Sequence, residues 1–166
     1  MTPLTQTENY RTSIEGSLAL PASIICSTPE ETISLGKKIA CFLEKSSVVA
    51  LHGPLGAGKT CLAKGIAAGL GVKETVTSPS YTIVSEYEGF VQGDFVQIYH
   101  IDAYRLAGND DFSAIGGEEI VFGDGISIIE WCERIPDFIR KGVLRVDILI
   151  IDDERRQFYV YLEDKK

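Results

Sequence analysis

One stretch constrains this chain more than any other. Residues 48–60 read Val-Val-Ala-Leu-His-Gly-Pro-Leu-Gly-Ala-Gly-Lys-Thr, and Gly53 to Thr60 fit G-x-x-x-x-G-K-[ST], the Walker A phosphate-binding loop. The flanks fit as well. Val48–Leu51 is a short, partly β-branched apolar run, the pattern of a buried parallel strand. After Thr60, Leu62, Ile66 and Leu70 recur at helical spacing, and Gly71 supplies a stop. Gly56 and Gly58 let backbone N–H groups turn towards an anion, and the following helix offers the positive end of its dipole. Lys59 brings a full charge to the β- and γ-phosphates, and the Thr60 hydroxyl is placed to ligate Mg²⁺. Gly53, Gly56, Ala57, Gly58, Lys59, Thr60 and Cys61 are thus the expected nucleotide-binding residues of the loop, with ATP and Mg²⁺ as cofactors.

Such a loop needs a carboxylate at the tip of a neighbouring strand to hold the metal or its waters. Two predicted strands end in one: Phe95–Ile101 runs into Asp102, and Ile126–Ile129 runs into Glu130. Ligands of open α/β sheets gather at the carboxyl ends of strands, so both acids qualify. The sequence alone leaves open which of them touches the metal. His52 and His100 read as strand-end packing, Trp131 as core, and Thr77-Ser78-Pro79-Ser80 as a Ser/Pro turn. There is no D-x-x-G and no N-K-x-D for guanine, which favours ATP.

The rest of the chain supports an α/β fold. Thr28-Pro29-Glu30-Glu31 starts a helix with a cap, a first-position proline and a capping box, and Leu35, Ile39, Phe42 and Leu43 continue its apolar stripe to about Glu44. Residues 81–87 and 95–101 read as a hairpin, and 144–151 with 157–162 as a second. Short helical pieces are expected at 111–115, 118–122 and 135–139. The expected architecture is a P-loop NTPase-like three-layer sandwich, its mixed sheet having a parallel core and antiparallel hairpins. Residues 27–166 are expected to form a single P-loop ATPase domain. Residues 1–26 are expected to be an N-terminal arm, polar over 1–16, with an edge strand around Leu18–Cys26, which Pro21 interrupts.

Composition narrows the partners. Lys and Arg number 16 against 24 Asp and Glu, a net charge of −8. Such a chain lacks the clustered cations that neutralise nucleic-acid phosphates. The four cysteines are scattered without a C-x-x-C pair, which speaks against a zinc site or disulfide scaffold and for thiols in a reducing cytosol. No apolar run reaches the length of a membrane span. A cytoplasmic protein without membrane contact is expected.

Several blocks together resemble one family. Thr32-Ile-Ser-Leu-Gly36, the phosphate loop, Thr77-Ser-Pro-Ser-Tyr-Thr-Ile-Val, His100-Ile-Asp-Ala-Tyr-Arg-Leu106 and Ile129-Glu-Trp131 occur in the order of the TsaE (YjeE) family, small bacterial ATPases of tRNA threonylcarbamoyladenosine synthesis. The resemblance runs from about Thr28 to about Val160. The loop is generic; the His-x-Asp-x-Tyr-Arg-Leu and Glu-Trp blocks are far more specific. The resemblance implies ATP and Mg²⁺ binding, slow hydrolysis, and action with TsaD and TsaB, which attach the threonylcarbamoyl group to adenosine beside the anticodon. Contact with tRNA is then expected only through that complex. By the same resemblance, Lys59 binds phosphate, Thr60 and Glu130 serve the metal, Asp102 serves hydrolysis, and Thr77–Ser80 form a switch-like segment. Adenine is placed near Thr32 and around Arg155. Pro54, Cys61, Ser80 and Cys132 depart from the residues usual in the family. Two other readings stand beside this one: a small-molecule kinase, disfavoured because residues 103–125 hold only Arg105 where a lid would need several arginines, and a non-catalytic, nucleotide-dependent assembly factor.

Overall fold

The computed structural model describes residues 18–164. The expectation of an arm over residues 1–16 lies outside them. Strands β1 (Ala22–Cys26), β2 (Val48–His52), β3 (Val84–Val91), β4 (Asp94–Asp102), β5 (Ile126–Glu130), β6 (Leu144–Ile150) and β7 (Arg156–Leu162) form one sheet in the order β1-β7-β6-β2-β5-β4-β3. Neighbours among β6, β2, β5 and β4 run parallel. The β3–β4 and β6–β7 hairpins and the β1–β7 pair run antiparallel. The strand expected over Leu18–Cys26 is shorter: β1 begins at Ala22, just after Pro21, and lies at the edge of the sheet.

Alternation along the strands separates two cores. Val49, Leu51, Ile98, Ile126 and Ile128 face helices α1 (Pro29–Ala40) and α2 (Lys59–Gly69). Ala50, Ile101 and Ile129 face the other way, towards α3 (Asn109–Ala114), α4 (Gly117–Val121) and two 3-10 turns at Cys132–Arg134 and Pro136–Phe138. Every residue of β5 is buried, as a strand covered on both faces must be. Each fully buried isoleucine contributes about 1.5–3 kcal/mol. The result is the expected three-layer sandwich with β2 at its centre.

Helix α1 starts where the capping signal put it. The Thr28 hydroxyl accepts from Glu31 N at 3.1 Å, and Pro29 occupies the first turn. The Glu31 carboxylate reaches back one residue further than expected and accepts from Ser27 N at 2.6 Å. The helix closes at Ala40 rather than near Glu44. Its contact with α2 is backbone on backbone: a Cβ on Gly36 would lie 2.6 Å from Ile66 N, and one on Gly65 would lie 2.5 Å from Ile33 O. That close crossing fixes α2, and with it the phosphate loop, against the sheet.

A candidate nucleotide site at the crest of the sheet

The carboxyl ends of β2, β4 and β5 meet at one crest. Leu51 pairs with Glu130, and Glu130 pairs with Asp102. Parallel register therefore places the two acids side by side, directly beyond which the chain of β2 continues into the loop at 53–58. A cavity of about 550 Å³ opens here, lined by Gly56 to Cys61, Ser78, Ser80, Asp102, Glu130 and Trp131 among others.

The loop is shaped for an anion. Gly56 and Gly58 have φ of 77° and 98°, and a Cβ on either would meet nothing within 4 Å, so the concave side is open. Helix α2 carries no side-chain cap and no acidic residue in its first turn. Its first N–H groups, with no intrahelical acceptor, face that opening. Ala57 is buried, and its own N–H donates to Pro54 O at 3.1 Å. The Lys59 ammonium donates to Gly53 O at 2.6 Å and Pro54 O at 2.8 Å. Burial lowers the Lys59 pKa, against the opposing pull of Glu130, Glu133 and Asp102.

The acidic side of the cavity is equally ordered. Thr60 Oγ1 lies 2.9 Å from Glu130 Oε1 and 3.1 Å from Oε2. A hydroxyl already turned to a carboxylate beside an open anion cradle suits a divalent cation and its waters. Among the described residues no group of three or more His, Cys, Asp or Glu side chains forms a metal cage. Asp102 Oδ1 accepts from Tyr104 N at 3.0 Å, while Oδ2 lies 3.4 Å from the Ser78 and Ser80 hydroxyls.

A second cavity of about 530 Å³ adjoins the first across the loop, lined by Thr28, Thr32, Cys61, Glu154 and Arg156 among others. Thr32, one of the two residues expected near the adenine, lines it. Arg155, the other, does not: its guanidinium pairs with Asp152 at 2.7 Å on the exposed hairpin turn. Arg156 instead reaches the loop, its Nη2 donating to Gly56 O at 3.3 Å. Arg155 lies in the hairpin turn before β7, where Asp152 is within reach, whereas Arg156 is the first residue of the strand.

Two aromatic and imidazole groups read as packing prove to belong to the site. Trp131 adopts left-handed backbone (φ 58°) and lays its ring over Lys59, with Nζ 4.0 Å from the centroid. His100 Nε2 lies 2.7 Å from Glu130 Oε1. His100 had a readable signal, since it stands two residues before Asp102 on a strand and so shares its face. His52 sits 3.5 Å from Asp147, outside the cavity.

A glycine-rich loop between a central parallel strand and a helix, with acids on the adjoining strand tips, defines a P-loop NTPase-like protein. The family model "Threonylcarbamoyl adenosine biosynthesis protein TsaE" matches residues 26–158. The chain belongs to the TsaE family. It is 39% identical over 131 residues to the tRNA threonylcarbamoyladenosine biosynthesis protein TsaE of Treponema pallidum, covering 79% of this chain and 93% of that protein. The protein of the same name from Aquifex aeolicus is 36% identical over 146 residues, covering 87% and 98%. Among solved structures, Bacillus subtilis YdiB superposes with a TM-score of 0.67 at 31% identity, covering 86% of each chain. No helix among the described residues is long and apolar enough to cross a membrane.

Proposed function

We propose that this chain binds ATP with Mg²⁺, hydrolyses it slowly, and serves threonylcarbamoyladenosine modification of tRNA together with TsaD and TsaB. The observation that carries the reading is the joined pair at the crest: Thr60 bonded to Glu130 at 2.9 Å, with Asp102 in register beside it. Relatives named for the pathway support the biological half. Held on the Thr60 and Glu130 side, magnesium would supply charge neutralisation to the phosphates.

The chain's own groups divide the remaining work. Backbone N–H groups of Gly56, Gly58, Lys59, Thr60 and Cys61 bind the phosphates, and Lys59 exchanges its loop carbonyls for phosphate oxygen. Thr60 and Glu130 hold the metal side. Asp102 has one oxygen tied to Tyr104 N and the other turned to the cavity, so it can orient a water and take its proton. Trp131 covers Lys59 and keeps bulk water from the ammonium. Thr32 and Arg156 border the space beyond the loop, where the nucleoside lies.

Nucleotide titration and single-turnover hydrolysis test this. Lys59→Ala is expected to lose binding. Asp102→Asn is expected to keep affinity but lose about a hundredfold in turnover. A purified chain that binds no ATP in the presence of Mg²⁺ overturns the reading. A nucleotide-dependent pull-down that recovers neither TsaD nor TsaB overturns its partner half alone.

A further inference from the structure

We infer that His100 is a positioning residue: it fixes the Glu130 carboxylate in the orientation that serves the divalent cation. The inference rests on the Mg²⁺-dependent reading above and assigns a group that reading leaves idle. His100 and Glu130 are both buried, at 1% and 3% exposure. Their Nε2–Oε1 separation of 2.7 Å is that of a short, charge-assisted bond. The other ring nitrogen, Nδ1, is buried without a partner.

That orphan decides between two explanations. A histidine present only to fill space would be bettered by an apolar residue, because an unpaired buried nitrogen carries a desolvation penalty. The two preceding inward positions of β4 are apolar, Val96 and the fully buried Ile98. Imidazole at position 100 is therefore accounted for by its single bond to Glu130. With a carboxylate as partner, Nε2 is the donor. The bond occupies Oε1, which also receives the shorter contact from Thr60, and leaves Oε2 with only the 3.1 Å contact. Oε2 is thus the oxygen presented to the cation or its waters. Partners of metal ligands commonly act this way, holding a ligand's rotamer rather than touching the ion.

The test is a titration of a fluorescent ADP analogue against the full chain over a range of Mg²⁺ concentrations. It yields the Mg²⁺ midpoint and the metal-free nucleotide affinity separately. His100→Leu is expected to raise the midpoint about tenfold while leaving metal-free affinity unchanged. His100→Gln, whose amide nitrogen reaches the place of Nε2, is expected to restore most of the midpoint. His100→Asn, with its donor short of Glu130, stands in for the leucine variant should that one unfold, and is expected to shift as it does. In a Glu130→Gln background, neither change is expected to add a further shift. An unmoved midpoint in the leucine or asparagine variant overturns the inference and leaves the function intact. So does an equal loss of affinity with and without Mg²⁺, the mark of a structural role. A wild-type chain indifferent to Mg²⁺ overturns the function reading as well.

Discussion

Adjacent arginines on the last hairpin meet different partners. Arg155 closes a ring with Asp152, and that pairing holds the Asp152 carboxyl down at about 2, led by the side-chain bond to Arg155. Arg156 leans on the Gly56 carbonyl of the phosphate loop. Arg156→Ala is therefore expected to weaken ATP binding by about tenfold, the worth of one charge-assisted hydrogen bond, while Arg155→Ala leaves it unchanged; a nucleotide titration of both variants checks the contrast. Cys132 shows burial acting on chemistry. Desolvation pushes its thiol from an ordinary 9.0 up to about 12. The folded chain then holds a proton that the unfolded chain releases, so this contribution to stability is complete below 9.0 and lost as pH rises towards 12. Wild type and Cys132→Ala are expected to converge in denaturation midpoint across that window. A thiol reagent at pH 8 is expected to label the exposed Cys41 in the folded chain and Cys132 only after unfolding.

Helix α2 and its cross-contact with α1 carry the loop, so the element most exposed to small changes is their glycine seam. Gly65→Ala would drive a methyl into the Ile33 carbonyl at 2.5 Å, against backbone that has no rotamer to yield. It is expected to cost about 1–3 kcal/mol in chemical denaturation, as overpacking does. The regular elements were readable from periodicity and caps: β2, the start of α1, α2 and the second hairpin fall where apolar spacing and Thr28-Pro29 put them. What periodicity misplaced lies at the site. Residues 81–83 look like strand, yet β3 begins at Val84. Ile83 N turns back to Pro79 O at 2.8 Å, and Ile83 takes a φ of 67°. That curl sets Ser78 and Ser80 beside Asp102, a tertiary demand that local pattern does not encode. Trp131 packs against the second core as its residue type suggests, but only its left-handed backbone, strained for a bulky side chain, also lays the ring over Lys59.

Across the whole molecule, the site draws on elements that are distant in sequence but adjacent in the sheet. The loop follows β2, Asp102 ends β4, and Glu130 ends β5. Glu130 reaches Thr60 across 70 residues of chain, and Arg156 reaches Gly56 across 100. Unfolding any of these elements dismantles the site, so a ligand that binds there stabilises the fold as a unit and not one loop. At a hundred times its dissociation constant, such a ligand adds about 2.7 kcal/mol. For a domain of this size that is about 5–10 °C in Tm. ATP with Mg²⁺ is expected to raise the melting temperature of the wild type by that amount, to raise that of Asp102→Asn equally, and to leave that of Lys59→Ala unmoved. Hydrogen exchange gives the finer check. With the acids in register beside the loop, protection on nucleotide binding is expected to spread to the ends of β4 and β5 as well as the loop; protection confined to 53–60 would mean that the acids do not share the ligand with the loop.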